Sequence, residues 1–251
     1  MNTLLRTTAP LVVEPPPVLY IHVRCSSDLN DCLNQLWAVT TYARNNGREI
    51  VFEMPSYTGD IAKFLDFSKY PVKVHTDASV LPKDAKTAVF NPEVTAKAQV
   101  LVHDKSGGGI QSAHVFRFVR LQPTFLEQLK ALPVIHSAIH MATSDVAKDV
   151  LDVNLAIKDF VTSQRSRPVF MVCDNDEKKT PYLKKYGFYA KTTTDLKNLA
   201  ETLMDVMILA AAKDLLCIPG SDGKVSGIAV LAKELQTKRI FVLNLIAGKP
   251  L

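Results

Sequence analysis

The stretch from Val18 to Met54 limits the possible folds more than any other part of the chain. Val18 to Val23 (VLYIHV) is a short β-prone apolar burst that runs into the polar Arg24-Cys25-Ser26-Ser27-Asp28. Cys32, Leu33, Leu36, Trp37, Val39, Thr40 and Ala43 then recur at spacings of three and four, and Asn46-Gly47 supplies a helix stop. Ile50 to Met54 (IVFEM) reads as a second strand, closed by Pro55. A strand, a helix and a strand in so short a span form a βαβ unit. Its two strands must lie parallel, because the helix carries the chain back to the starting edge.

The grammar continues along the chain. Ile61 to Phe67 reads as a short helix, and Val72 to His75, Ala88 to Phe90 and Gln99 to His103 read as strands. Val115 to Leu121 is apolar and basic by turns, and Pro123 opens a helix reaching Leu132. A second block begins near Pro133. Ala138 to Met141 is a strand, and Val146, Val150, Val153, Ile157 and Phe160 mark a helix of 3.6-residue period. Pro168 to Cys173 is a buried-type strand, Leu196 to Ala212 a helix, Leu215 to Ile218 a strand, Val225 to Leu235 a helix and Arg239 to Leu245 a last strand. The expectation is an α/β protein of two Rossmann-like halves, residues 1–125 and 126–251, with parallel sheets and a cleft between them.

Composition narrows the function classes. With 47% hydrophobic and 22% charged residues, the 251-residue chain has the means to bury a core, which argues against intrinsic disorder. A formal charge of +5 suits an anionic small molecule. There is no Lys/Arg block with interleaved aromatics of the kind that reads nucleic acid. No apolar run reaches the ~20 residues that span a bilayer, and the opening MNTLLRTTAPLVVEPPP lacks the core of a secretory signal. Cys25, Cys32, Cys173 and Cys217 show neither CxxC nor zinc spacing, so reduced thiols and a cytoplasmic location are expected.

In parallel α/β folds, ligands sit at the carboxyl ends of the strands. Four post-strand loops are therefore the places to inspect: Arg24 to Asn34, His140 to Asp145, Asp174 to Asp176 and Pro219 to Ser226. They offer hydroxyls, amides, carboxylates and helix N-termini, an inventory that fits a phosphate-bearing ligand. Plainer readings stand beside this one. His140 fits a satisfied histidine at a strand end, Asp205 a solvated or capping carboxylate, and Ser221 and Ser226 turn and cap residues. Asp174 and Asp176 form either a post-strand turn or a metal-binding pair. Gly107-Gly108-Gly109 lacks the Gly-Lys-Ser/Thr ending of a phosphate loop.

Three ordered segments carry a family resemblance. Asn30-Asp31-Cys32-Leu33-Asn34-Gln35-Leu36-Trp37, running on to Arg48-Glu49-Ile50-Val51, resembles the first loop, helix and strand of fucosyltransferases. Phe116 to Pro123, followed by Ala138 to Asp145, resembles that family's strand with a His-x-Arg-x-x-Asp-like segment. Leu203 to Ala210, Pro219-Gly220-Ser221 and Ser226-Gly227-Ile228-Ala229 resemble its Asp-bearing helix and Ser-rich loop. The relatives in view are the α1,6- and nodulation-type, α1,2- and protein O-fucosyltransferases.

The resemblance implies a GT-B-like transferase that moves a sugar from a nucleoside diphosphate sugar, with a GDP-sugar favoured, to a glycan hydroxyl. It implies inverting transfer without a metal or other cofactor. It matches His140 and Asp205 to guanine contacts, Ser221 and Ser226 to diphosphate contacts, and Asn30-Asp31-Cys32 to the sugar pocket. The candidate bases are Asp31, Asp149 and Asp152. Ala142 departs from the pattern, because the family places there an arginine that binds the leaving diphosphate. Arg24, Arg120 and Lys224 are the candidate substitutes. Two alternatives stay open: a metal-dependent transferase using Asp174 and Asp176, and a catalytically silent nucleotide- or glycan-binding module. The chain is also short for this architecture, so an acceptor-recognition insertion or a partner is expected to be missing.

Overall fold

The computed structural model describes residues 16–93, 97–104, 111–132, 135–142, 150–164, 168–173, 175–190 and 197–237. The expected βαβ unit is β1 (Leu19–Arg24), α1 (Leu29–Asn45) and β2 (Arg48–Glu53). Asp28 caps α1 by accepting from the Asp31 N–H, and Gly47, at φ +60°, ends it. Then follow β3 (Leu65–Asp66), β4 (Val74–His75), β5 (Thr87–Val89), β6 (Val100–His103), β7 (Arg120–Leu121) and α2 (Pro123–Lys130). The rest is β8 (Ser137–Met141), α3 (Val150–Ser163), β9 (Val169–Val172), α4 (Asp176–Tyr186), α5 (Leu199–Ala211), β10 (Asp214–Ile218) and α6 (Gly227–Thr237).

The first five-stranded sheet runs β4-β2-β1-β6-β5 and the second, three-stranded, runs β10-β8-β9; every pairing in both is parallel. β3 and β7 form a separate antiparallel ribbon. Side-chain alternation sorts the first sheet. Ile21 and Val23 join the large core with Leu29, Leu33 and Leu36 of α1, whereas Tyr20, Val51 and Val100 form a small cluster on the opposite face. Each fully buried leucine on α1 contributes about 2 kcal/mol. This apolar stripe, more than helix propensity, holds α1 to the sheet.

The large cluster does not stop at one half. Leu203, Val206 and Leu209 of α5 and Leu231 and Leu235 of α6 lie in it beside Leu33 and Phe116. A parallel bridge between Thr58 and Asn198 adds a backbone link, with the Thr58 N–H 2.7 Å from the Lys197 carbonyl. The other face of β8 belongs to a second cluster, in which Ile139 and Met141 pack with Val153 and Ile157 of α3. The two C-terminal helices therefore carry the start of α6 to the start of α1.

Three segments differ from the sequence expectation. Only Ile61–Lys63 is helical in the predicted helix 61–67, as a 3₁₀ turn, because Leu65-Asp66 is drawn out to pair with Arg120-Leu121. The mixed stretch 115–121 divides into a 3₁₀ segment, Ser112–Arg117, and β7. Helix α4 is not expected from the sequence, since Pro181 sits inside it. Its ends compensate, with Asn175 accepting from the Lys178 N–H, acids in the first turn and Lys184 and Lys185 in the last. The expected strand 239–245, Val146 and the glycine run 107–109 lie outside the described residues.

Candidate functional site

Two helix N-termini and one strand end converge. On the second sheet, His140 stands near the carboxyl end of β8, paired in register with Cys217 of β10 and Val172 of β9. It is 1% exposed. Its Nε2 lies 3.0 Å from Ser226 Oγ, and its Nδ1 has no hydrogen-bond partner among the described residues. Burial alone pulls its pKa down to about 4, so the imidazole is neutral near pH 7, with one ring nitrogen donating and the other accepting. Ser226 immediately precedes α6, and its carbonyl accepts the Ala229 and Val230 N–H groups at 3.1 and 3.0 Å.

The first sheet meets this place through Asp28. Its Oδ1 accepts the Asp31 N–H at 2.9 Å. The same carboxylate lies over Gly227, the first residue of α6, where a Cβ would fall 2.2 Å from Oδ2. Only glycine leaves room for it. One anionic side chain thus sits at the amino ends of both α1 and α6, where the unpaired N–H groups and helix dipoles favour negative charge. In the sequence Asp28 stands only as the end of a polar post-strand loop and Gly227 only within the Ser226-Gly227-Ile228-Ala229 segment, with nothing to pair them. The N-cap position of Asp28 was legible, but nothing in the sequence brings residue 227 to residue 28.

Ser221 is exposed in the turn that the Gly223 N–H closes on the Gly220 carbonyl, 2.9 Å away. Lys224 follows on the same loop, exposed and 3.9 Å from Asp222. Asp205 is buried on α5 at 7% exposure, so it is not the solvated carboxylate of the plainer reading. Asn30 and Cys32 lie inside the first turns of α1 and are buried, whereas the resemblance puts them in a loop around a sugar. Asn30 accepts from Ser112 Oγ at 2.5 Å, and Ala113 N donates to Glu234 Oε2 of α6 at 3.2 Å. Asn30 therefore ties α1 to the 3₁₀ segment that α6 also grips. Cys32 Sγ donates to the Ser27 carbonyl at 3.5 Å, and the adjacent Cys25 together with burial pushes its pKa up.

Among the candidate bases, Asp31 is half-buried beside Asp28, and burial followed by the Asp28 charge raises its pKa. Asp152 is exposed in the first turn of α3, while Asp149 lies outside the described residues. Asp174 also lies outside them, and Asp176 is ion-paired with the buried Lys179 at 2.5 Å. No cluster of His, Cys, Asp and Glu able to hold a metal occurs among the described residues. Ala142 is buried at the end of β8, its N–H on the Ile218 carbonyl at 3.2 Å. Of the candidate cations, Arg24 is exposed at the end of β1 and Arg120 stands in the β3–β7 ribbon opposite Asp66. Lys224 alone shares a loop with Ser226.

Solved structures share this arrangement of sheets. NodZ alpha-1,6-fucosyltransferase co-crystallized with GDP is 16% identical, with a TM-score of 0.60 over 86% of this chain and 92% of that one. The fucosyltransferase NodZ from Bradyrhizobium gives the same TM-score, 0.60, and covers 93% of its own length. POFUT1 in complex with GDP-fucose is 12% identical, with a TM-score of 0.57 over 86% of this chain and 94% of that one. The chain has the fucosyltransferase fold. No protein-family profile and no curated protein matches the sequence. The fold reaches both halves, so the GT-B-like α/β architecture expected from the sequence is the one observed. No helix among the described residues is long and apolar enough to cross a membrane.

Proposed function

We propose that the protein is a glycosyltransferase that binds a nucleoside diphosphate sugar, a GDP-sugar by preference, and passes the sugar to a glycan hydroxyl. The observation that carries this reading is the contact of the buried His140, through Nε2, with the half-buried Ser226 Oγ, 3.0 Å away at the amino end of α6. A neutral imidazole and a hydroxyl beside a helix N-terminus suit a diphosphate and the polar edge of a base. The NodZ structure that shares the fold was crystallized with GDP and the POFUT1 structure with GDP-fucose. In this reading residues 126–251 hold the nucleotide, with His140 and Asp205 toward the base and Ser221 and Ser226 toward the phosphates. Residues 1–125 face the acceptor.

The chemistry follows from charge. As the glycosidic bond breaks, negative charge grows on the leaving diphosphate, and α6, Ser226 and Lys224 stabilise it where the Ala142 position offers no cation. Asp31 is the base that takes the acceptor proton. Its raised pKa makes it a better proton acceptor than an ordinary aspartate, and transfer is inverting and independent of metal. The buried Ala142 favours a second reading, a module that binds the nucleotide without turnover. The test is GDP binding by calorimetry to the wild-type protein and Ser226→Ala, each with EDTA and with Mn²⁺, together with GDP-fucose turnover. Expected are metal-independent binding that weakens roughly tenfold in Ser226→Ala, the value of one charge-assisted hydrogen bond, and measurable turnover. Absence of GDP binding refutes the nucleotide site, and binding without turnover selects the silent module.

A further inference from the structure

Where α6 of the second half meets the 3₁₀ segment Ser112–Arg117 of the first, the described residues line a cavity of about 490 Å³. Small-molecule sites typically measure about 300–1,000 Å³. Val230, Lys233, Glu234 and Thr237 recur at spacings of three and four, one stripe of α6 about 10 Å long. Ala113 and His114 form the facing wall, and Val225, the residue before Ser226, lines the same space. The His114 ring stacks on Trp37 at 5.2 Å between centroids, and Trp37 on Phe118 at 5.9 Å, so this wall is held in place. One charge of each sign borders the cavity. Glu234 turns Oε2 to Ser112 Oγ at 3.1 Å and the Ala113 N–H at 3.2 Å, and the exposed Lys233 reaches the Cys217 thiol. The surface left to an occupant is mostly apolar and carries no net charge.

We infer that this cavity seats the apolar aglycone of a sugar acceptor, an alkyl or aryl group whose attached sugar emerges beside Ser226. An ion gains little here, because the two bordering charges oppose each other. An apolar group instead sheds water from its own surface and from Ala113, Val225 and Val230. Val225 fixes the direction, since the next residue carries the hydroxyl that stands 3.0 Å from His140 Nε2. A group bound along α6 therefore has one end at the site described above. The occupant's role as an acceptor rests on the transferase reading; the preference for an apolar group does not. Because each half supplies one wall, the occupant also holds α6 against the 3₁₀ segment.

Trp37 is the single tryptophan of the chain, so its fluorescence reports on the His114 wall. The probes are octyl, phenyl and methyl β-glucosides, the octyl compound kept below its micelle concentration, with GDP binding measured separately by calorimetry. Each buried methylene is worth about fourfold in affinity, so the octyl and phenyl glucosides are expected to bind wild type at least about tenfold more tightly than methyl glucoside. Val230→Phe fills the cavity from the α6 stripe, and Thr237→Phe, at an exposed position, narrows its end. Both are expected to erase the difference between the glucosides and to leave GDP affinity unchanged, with circular dichroism showing that each variant is folded. A preference for the apolar glucosides that is lost in the variants, with no GDP binding to any protein, supports the cavity and removes the transferase reading. Equal or absent binding of the three glucosides to wild type overturns the inference. So does a preference that survives in folded Val230→Phe, or in Thr237→Phe where Val230→Phe does not fold.

Discussion

Replacing Gly227 by alanine tests the meeting of the two halves directly. A Cβ at this position would lie 2.2 Å from Asp28 Oδ2 and 2.5 Å from Cγ and Oδ1, whereas ordinary contact begins near 3.4 Å. The carboxylate must retreat by roughly 1 Å, which breaks its 2.9 Å bond to the Asp31 N–H. Loss of an aspartate cap costs about 1 kcal/mol, and overpacking adds about 1–3 kcal/mol. The higher helix propensity of alanine offsets up to about 1 kcal/mol. The net expectation is a loss of about 1–3 kcal/mol, which for a chain of this size lowers Tm by roughly 2–12 °C. The assay is urea unfolding of a double-mutant cycle containing Gly227→Ala, Asp28→Ala and the pair. With Asp28 truncated, Gly227→Ala is expected to be neutral or stabilising, giving a coupling of about 1 kcal/mol or more. A Gly227→Ala protein as stable as wild type, or a coupling within about 0.3–0.5 kcal/mol of zero, refutes the close approach of α1 and α6.

His140 makes stability depend on pH. Its folded pKa of about 4 lies below the ordinary 6.5, so the unfolded chain binds the proton more readily. Stability is therefore complete above pH 6.5 and is lost as pH falls toward 4, by about 3 kcal/mol in all at about 1.4 kcal/mol per unit. Urea midpoints of wild type and His140→Gln between pH 4 and 8 check this, and equal slopes for the two proteins refute it. Ser112→Ala removes the hydroxyl that donates to the buried Asn30 at 2.5 Å. An unsatisfied buried acceptor costs about 1–3 kcal/mol, read as a lower urea midpoint, and an unchanged midpoint shows that Asn30 finds another partner.

Sequence alone determined the alternation of strands and helices, because burial on both faces of a parallel sheet leaves apolar runs and burial of one helix face leaves a 3.6-residue period. Residues 19–24, 29–45 and 48–53 follow their patterns to within a few positions. It also singled out His140 at a strand end and Ser226 in a post-strand loop, on opposite sides of the second block. Local chemistry hid α4 behind Pro181, and the pairing of Leu65 with Leu121 and of Asp66 with Arg120, far apart in the chain, converted part of the predicted helix 61–67 into β3. The tertiary structure alone decided which loops face one another. The 3.0 Å contact of His140 with Ser226 spans 86 positions, and the approach of Asp28 to Gly227 joins the two ends of the fold. Periodicity records how much of each element is buried and carries no information on what it is buried against. The burial of Asn30 and Cys32, which the family resemblance matches to a sugar pocket, follows from the packing of α6 and the 112–117 segment on α1. A post-strand position tells where a functional group begins in the chain. The packing of α5 and α6 into the core of the first half decides which groups meet to form a site.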